Sequence, residues 1–153
     1  MDMQLSHFVD IDAPLPEVWR VISDIEHSAA VISGIKSIEI ITPAQGPGLL
    51  GLKWRETREW MGQDALEEMW ITESEEQCYY QTRAESHGSV YTSRLDVEPI
   101  NGGTRLSMGF HCQPVSLSAR VIWLLTSWMA NRSLSKVIKQ DLQDIKHHLE
   151  AAA

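Results

Sequence analysis

Residues 115–149 read VSLSARVIWLLTSWMANRSLSKVIKQDLQDIKHHL, a long run with neither proline nor glycine. Apolar residues recur in it at steps of mostly three, four or seven, which places them on one stripe of an α-helix. The stripe consists of Val115, Ala119, Ile122, Thr126, Met129, Leu134, Val137, Ile138, Leu142, Ile145 and Leu149. The pattern predicts a C-terminal helix of about 50 Å, at about 1.5 Å per residue. So long a helix needs a broad surface to lie on.

The residues before this helix predict that surface as a sheet. Runs with strand character are Gln4–Ile11, Ile35–Thr42, Leu50–Trp60, Ala65–Glu73, Gln77–Ala84, Ser89–Glu98 and Thr104–Gln113. Short connections rich in turn-forming residues join the later strands, which predicts an antiparallel meander. Between the first two strands, residues 15–24 and 25–33 predict two short helices. The chain is therefore expected to be one α+β domain over residues 1–153, with about seven antiparallel strands and one long C-terminal helix.

Composition and charge exclude several classes of function. The net charge of −8 opposes binding to nucleic acid or to an anionic membrane surface, since phosphate groups need clustered Lys and Arg. Cys78 and Cys112 have no zinc-site spacing with other residues, so neither a metal nor a cofactor is expected. The N-terminus lacks signal-peptide character. The most apolar segment, Val121–Ala130, is much shorter than the roughly 20 residues of a membrane span. A cytoplasmic protein with free thiols is expected.

Four segments, in order along the chain, resemble a known superfamily. Residues 11–24, IDAPLPEVWRVISD, resemble the opening strand and short helix of the START-like, or SRPBCC, superfamily. Residues 46–51 (GPGLLG), 102–106 (GGTRL) and 141–150 (DLQDIKHHLE) are similar to later parts of it. The superfamily includes polyketide cyclase/dehydrase-like proteins, START lipid-transfer domains and the major birch pollen allergen. The resemblance implies a helix-grip fold, in which a curved antiparallel sheet wraps around the long C-terminal helix and leaves a cavity between them. It carries over no shared catalytic residues.

The strand Leu50–Trp60 carries the first candidate site residues. If Leu52 and Trp54 face the cavity, alternation places Glu56 and Arg58 on the same face. A carboxylate and a guanidinium there could orient a polar group of a ligand. Burying either charge alone is costly, so a structural ion pair at the cavity wall is the alternative.

Aromatic and methionine side chains are candidates for the wall of the cavity, because they offer large or adaptable apolar surfaces. Ordinary core packing is the alternative for each of them. The predicted ligand pocket comprises Trp54, Glu56, Arg58, Met69, Tyr79, Tyr91, Met108, Phe110, Ile122, Trp123 and Thr126.

Two positions remain open on the sequence alone. In the strand Ala65–Glu73, Met69 and Ile71 favour one face as the inner one, but Leu66 and Trp70 favour the other. Either Glu67 or Glu68 could therefore point inward. His7 lies on the apolar face of the first strand, as a hydrogen-bonded core residue or as an acid/base group with a partner.

The leading functional hypothesis is the binding of a small hydrophobic or amphipathic molecule, lipid-like or polyketide-like, between the sheet and the helix. The first alternative is an enzyme similar to polyketide cyclases or dehydratases, in which pocket residues such as Glu56 move protons. The second is a protein interaction module that uses the apolar stretch Val121–Met129, with a homodimer as one possible assembly.

Overall fold

The computed structural model describes the backbone of residues 3–60 and 62–152, and the side chains of residues 4–60, 62–122 and 131–152. The strands are β1 (Met3–Ile11), β2 (Ile35–Thr42), β3 (Lys53–Trp60), β4 (Gln63–Glu75), β5 (Tyr79–Ser86), β6 (Ser89–Ile100) and β7 (Gly103–Pro114). The helices are α1 (Leu15–Ser23), a 3₁₀ helix (Ile25–Ala30) and α2 (Leu117–Ala151). The strands form one antiparallel sheet in the order β1-β7-β6-β5-β4-β3-β2. The predicted α+β helix-grip fold is confirmed.

The sheet has an inner face toward α2 and an outer face toward solvent. Pairing of β1 with β7 sets Val9 opposite Leu106, and both side chains are buried on the inner face. On the outer face, charged side chains pair across and along the strands, for example Arg105 with Asp10. One face is therefore apolar and the other charged, as expected for a half-buried antiparallel sheet.

Helix α1 closes one end of the sheet. Pro14 and Pro16 fit its first turn because proline has no N–H to leave unbonded there. Its buried residues pack on the core, and the hydroxyl of Tyr80 donates a hydrogen bond of 3.0 Å to the carbonyl of Ile22. The rings of Trp19 and Tyr80 meet edge to face, with centroids 6.1 Å apart.

Helix α2 starts at Leu117, two residues later than predicted. Val115 and Ser116 stay outside the helix because both their N–H groups donate to the carbonyl of Gly88, at 2.8 and 3.1 Å. The hydroxyl of Ser116 then caps the helix by accepting from the N–H of Ala119 at 3.1 Å. Gly88 is required at this contact, since an added Cβ would collide with the Ser116 side chain and φ is +74°.

The predicted apolar stripe of α2 divides into two parts. In the second half, side chains on the stripe are buried in the core: Ile138, Leu142, Ile145 and Leu149. In the first half the stripe is not buried where the structure describes it, because Val115 and Ile122 are exposed. Thr126 and Met129 belong to residues 123–130, which lie outside the described side chains.

Local turns explain why β3 and β5 begin later than predicted. Strand β3 begins at Lys53 rather than Leu50, because the N–H of Leu52 bonds the carbonyl of Leu49 and closes a turn first. Strand β5 begins at Tyr79 rather than Gln77, because Gln77 adopts φ of +59° in the preceding turn. The second predicted helix is a 3₁₀ helix that ends at Ala30.

Candidate ligand-binding site

The inner face of the sheet is not buried evenly. Near α1 its side chains are almost fully buried; this closed half comprises Val9, Ile11, Leu95, Val97 and Leu106. Toward the start of α2 several are only half-buried, with Ala84 and Cys112 buried among them. The half-buried side chains form the open half, which comprises Glu67, Met69, Tyr91, Met108 and Phe110. All of the open half faces inward by register, since Met69, Ala84, Tyr91 and Cys112 follow one another across β4 to β7. The open half is the candidate site.

The open half has an apolar wall with a polar group on it. The rings of Tyr91 and Phe110 lie with centroids 6.0 Å apart, and Met108 precedes Phe110 on the same face of β7. Burial raises the pKa of the Tyr91 phenol, electrostatic interactions with Cys112 and Glu67 add to this, and a hydrogen bond with Ser89 opposes it. The phenol therefore stays protonated and able to donate a hydrogen bond.

An ion network joins the sheet to α2 beside the open half. The guanidinium of Arg58 donates through Nε to Glu56 Oε2 at 2.6 Å. Its Nη1 and Nη2 donate to Asp141 Oδ1 and Oδ2 at 3.1 and 2.7 Å, a bidentate pair with α2. The indole N–H of Trp54 donates to Glu56 Oε1 at 3.4 Å. Glu56 and Asp141 are 7% and 4% exposed, so both carboxylates depend on these partners.

The surrounding carboxyl groups stabilise the positive charge of Arg58. Burial disfavours its charged form, but the hydrogen bonds from Arg58 to Asp141 and the negative charge of Glu56 outweigh this and raise its pKa. Burial also raises the pKa of Asp141. The hydrogen bond and the charge of Arg58 lower this pKa, and the nearby carboxylates of Glu56 and Asp144 raise it further. One guanidinium thus donates hydrogen bonds to both buried carboxyl groups.

Glu67 is the carboxyl group of the open half. The register of β3 and β4 sets it opposite Glu56, whereas Glu68 lies on the outer face and pairs with Arg55 at 3.4 Å. Burial raises the pKa of Glu67 and the charge of Glu56 adds to this, while a hydrogen bond with Ser86 and the charge of His87 oppose it. Within the described part of the chain, Glu67 forms no ion pair with Lys or Arg.

The structure places two predicted pocket residues away from the inner face. Tyr79 lies on the outer face, where the guanidinium of Arg94 stacks 3.8 Å above its ring. Its neighbour Tyr80 points to the opposite face, in line with Thr82 and Ala84, and is buried instead. Ile122 is 60% exposed and is therefore not a buried wall residue.

The other residues of the predicted ligand pocket lie in three different surroundings. Met69, Tyr91, Met108 and Phe110 lie in the open half. Glu56 and Arg58 face inward as predicted, and they adopt the ion-paired alternative. Trp54 also faces inward but is buried in the core. Trp123 and Thr126 lie outside the described side chains.

His7 and Asp141 show what sequence patterns can and cannot locate. His7 adopts the hydrogen-bonded alternative, with Nε2 2.7 Å from the hydroxyl of Ser135 on α2. Asp141 is not among the predicted site residues. Its position is nevertheless a usable signal, since it lies between Ile138 and Leu142 on the buried stripe of the helix, where an acidic residue needs a partner.

Three further findings concern the chain outside the open half. A surface groove of about 400 Å³ runs between α1, residues 47–50 and the turn that precedes β5. In the described part of the chain, no three His, Cys, Asp or Glu side chains are grouped as a metal site would require. None of the helices described combines the length and apolar character that crossing a membrane takes.

Several solved structures share this fold across almost their whole length. A START superfamily protein from Mycobacterium smegmatis has a TM-score of 0.79 at 16% identity, with 98% of this chain and 99% of that chain covered. The Zhui aromatase/cyclase from Streptomyces sp. R1128 has a TM-score of 0.81 at 14% identity, with 98% and 94% covered. A protein from Thermus thermophilus has a TM-score of 0.75 at 16% identity, with 100% and 99% covered. At these identities the likeness establishes the fold alone.

Sequence comparison identifies the family. A search of curated proteins found none that matches the chain. The family described as polyketide cyclase / dehydrase and lipid transport matches residues 3–150, nearly the entire chain. With its seven-stranded sheet closed by one long C-terminal helix, the chain belongs to the polyketide cyclase/dehydrase and lipid transport family.

Proposed function

We propose that the chain binds a small hydrophobic or amphipathic molecule at the open half of the inner face, between the sheet and α2. The observation that carries the proposal is a half-buried stretch of apolar side chains on the inner face, with buried residues on either side of it. Leu106 is fully buried, whereas Met108 and Phe110, next on the same side of β7, are half-buried although they are apolar and face inward. Apolar side chains left partly accessible on an inner face are typical of a ligand site.

The family supports the same proposal. Its description joins polyketide cyclases and dehydrases with lipid transport, and both activities involve molecules with large apolar surfaces. The open half offers such a molecule thioether, phenyl and phenol groups. The phenol of Tyr91 and the carboxyl of Glu67 are polar groups that could orient one end of the molecule.

A pair of tryptophan variants on β6 tests the proposal. Ser93 faces inward opposite Phe110, whereas its neighbour Thr92 faces outward opposite His111, and both are half-buried. We expect Ser93→Trp to fill the open half and weaken binding of the neutral apolar probe N-phenyl-1-naphthylamine by at least about tenfold, the loss of roughly 1.4 kcal/mol of binding free energy. Thr92→Trp should bind as the unchanged chain does.

Both variants should first be shown to be folded by circular dichroism, and native mass spectrometry of the freshly purified chain should detect a co-purified molecule. Equal binding of the probe by Ser93→Trp and the unchanged chain would contradict the proposed site.

A second candidate function is proton transfer to a bound polyketide-like substrate. Glu67 favours it, because a half-buried carboxyl group with a raised pKa is suited to act as a general acid. Glu56 is less suited, since Arg58 and Trp54 already occupy its oxygens. Glu67→Gln should then abolish conversion of such a substrate while binding persists, and Glu68→Gln on the outer face should leave conversion intact. Unchanged conversion by Glu67→Gln would exclude this role.

A further inference from the structure

The inner face carries more acidic than basic side chains. In the described strands, Arg58 is the single Lys or Arg on that face. The other strand arginines lie on the outer face in ion pairs: Arg55, Arg83, Arg94 and Arg105. The inner face and the stretch of α2 against it hold three carboxyl groups, those of Glu56, Glu67 and Asp141.

The one guanidinium on this face of the described strands already uses three of its five N–H donors within the protein. Its Nε, Nη1 and Nη2 each already donate to Glu56 or Asp141. Because it faces two carboxylates, the network carries a negative net charge before Glu67 is counted. A ligand anion placed beside it would meet repulsion in a partly desolvated site, where charges are weakly screened.

The helix above the open half adds no permanent cation by its sequence. Residues 123–130 of α2 read WLLTSWMA, which contains no ionisable side chain. Arg120 and Arg132, which flank that segment, are exposed. The titratable neighbours are His7, bonded to Ser135, and His87, beside Glu67.

We infer that the ligand of the open half has a polar end that donates hydrogen bonds, as a hydroxyl or an amine, and is not a carboxylate or a phosphate. The inference rests on the proposed function, and it restricts the proposed ligands to apolar molecules with a hydrogen-bond donor at one end. Glu67 is the acceptor, because its hydrogen bond with Ser86 leaves capacity on a carboxyl group that can accept several. The phenol of Tyr91 lies on the same face, and its oxygen can accept a second hydrogen bond from the ligand.

Three ligands with the same alkyl chain test the inference on the unchanged protein. Dodecanol, dodecylamine and dodecanoate are each titrated against bound N-phenyl-1-naphthylamine at about pH 7.5, below their micellar concentrations. We expect the alcohol and the amine to displace the probe at concentrations at least about tenfold lower than dodecanoate, since repulsion of a like charge costs affinity. Equal or tighter binding of dodecanoate would overturn the inference and leave the proposed function standing.

Two matched variants test the part assigned to Glu67. Glu67→Gln should reduce the preference for dodecanol and dodecylamine over dodecanoate by several fold. Glu68→Gln, one residue away on the outer face, should preserve this preference. An unchanged preference in a folded Glu67→Gln would remove Glu67 from the inference. If neither the probe nor any of the three ligands binds the unchanged chain, the proposed function and this inference both fail.

Discussion

Arg58 is the residue on which the link between β3 and α2 depends. It holds two carboxylates that are almost fully buried, and it contacts them through three separate donors. A buried ion network of this kind is weak support for stability as a whole, but removal of one partner leaves uncompensated charge in the interior.

Arg58→Met should therefore destabilise the fold by about 3–5 kcal/mol, measured as the free energy of unfolding in urea. Arg55→Met is the matched control, because Arg55 lies on the same strand but pairs with Glu39 and Glu68 on the exposed outer face. Its effect should stay below about 1 kcal/mol. A loss of similar size in both variants would show that burial of the network does not decide its contribution to stability.

Glu67 gives a prediction about pH. Its pKa in the folded chain is raised above the ordinary value of 4.5, so the folded chain holds the Glu67 proton more tightly than the unfolded chain. Ionisation of Glu67 therefore lowers the free energy of unfolding as pH rises above about 4.5. Glu67→Gln should equal the unchanged chain in stability near about pH 4, and its excess stability should grow as pH rises through the raised pKa of Glu67 and then level off.

Urea unfolding at several pH values between about 4 and 8 measures this difference. Glu68→Gln serves as the control and should show no such rise, because Glu68 is exposed and pairs with Arg55. A relative stability of Glu67→Gln that falls with pH would contradict the raised pKa.

At the residue scale, alternation along a strand predicts direction but not partners. It is enough to place Trp54, Glu56 and Arg58 on the inner face from the sequence alone. It does not find Asp141, since that residue meets Arg58 only through a contact between segments 83 positions apart. Long-range pairing is set by how the elements pack, which no local pattern encodes.

At the element scale, the two halves of α2 contribute differently to the fold. Leu142 in the second half is 2% exposed, whereas Leu117 in the first turn is 79% exposed. Leu142→Ala should cost about 2–5 kcal/mol of unfolding free energy through lost burial and a cavity. Leu117→Ala should change it by less than about 0.5 kcal/mol.

Thermal or urea unfolding of the two variants checks this contrast directly. Similar losses would mean that the first turn of α2 is packed against something the exposed fraction of Leu117 does not reveal. The helical period alone predicts the same stripe over both halves, because it records amphipathic spacing and not which part of a helix has a surface beneath it.

Strand β4 shows a second limit of local patterns. Its alternation is ambiguous in sequence because Leu66 and Trp70 are large apolar residues on the outer face. The register also shifts between Ile71 and Glu73, where one residue is inserted relative to β5. Such a bulge reverses the side chains that follow it, so no single alternation fits the whole strand. The prediction assigns Tyr79 to the pocket by its aromatic character alone, and it lies on the outer face because alternation turns the neighbouring Tyr80 into the core.

At the scale of the whole molecule, the fold has a well-packed end and a less packed end. Fully buried side chains such as Ile11, Leu106 and Leu142 gather at the α1 end, and half-buried ones at the start of α2. Overall architecture is predictable from sequence because the order of strands and helices covers the entire chain. The gradient of packing between the two ends is not, since burial depends on how elements distant in sequence pack together.

Amide hydrogen exchange should follow this gradient. Amides of residues 104–107 in β7 and 141–146 in α2 should exchange most slowly, and those of residues 117–122 much faster, because local opening is easiest where few apolar groups are buried. A bound ligand should slow exchange mainly at residues 89–93 and 108–112. Uniform protection along α2, with or without ligand, would contradict this account.

The contact between Gly88 and the start of α2 has a mechanical consequence. Hydrogen bonds to the Gly88 carbonyl fasten the segment just before the helix, while Leu142 and its neighbours fasten the far end in the core. Contacts thus hold α2 at both of its ends and not at one end alone. Any opening between the sheet and α2 would therefore have to occur without release of either end of the helix.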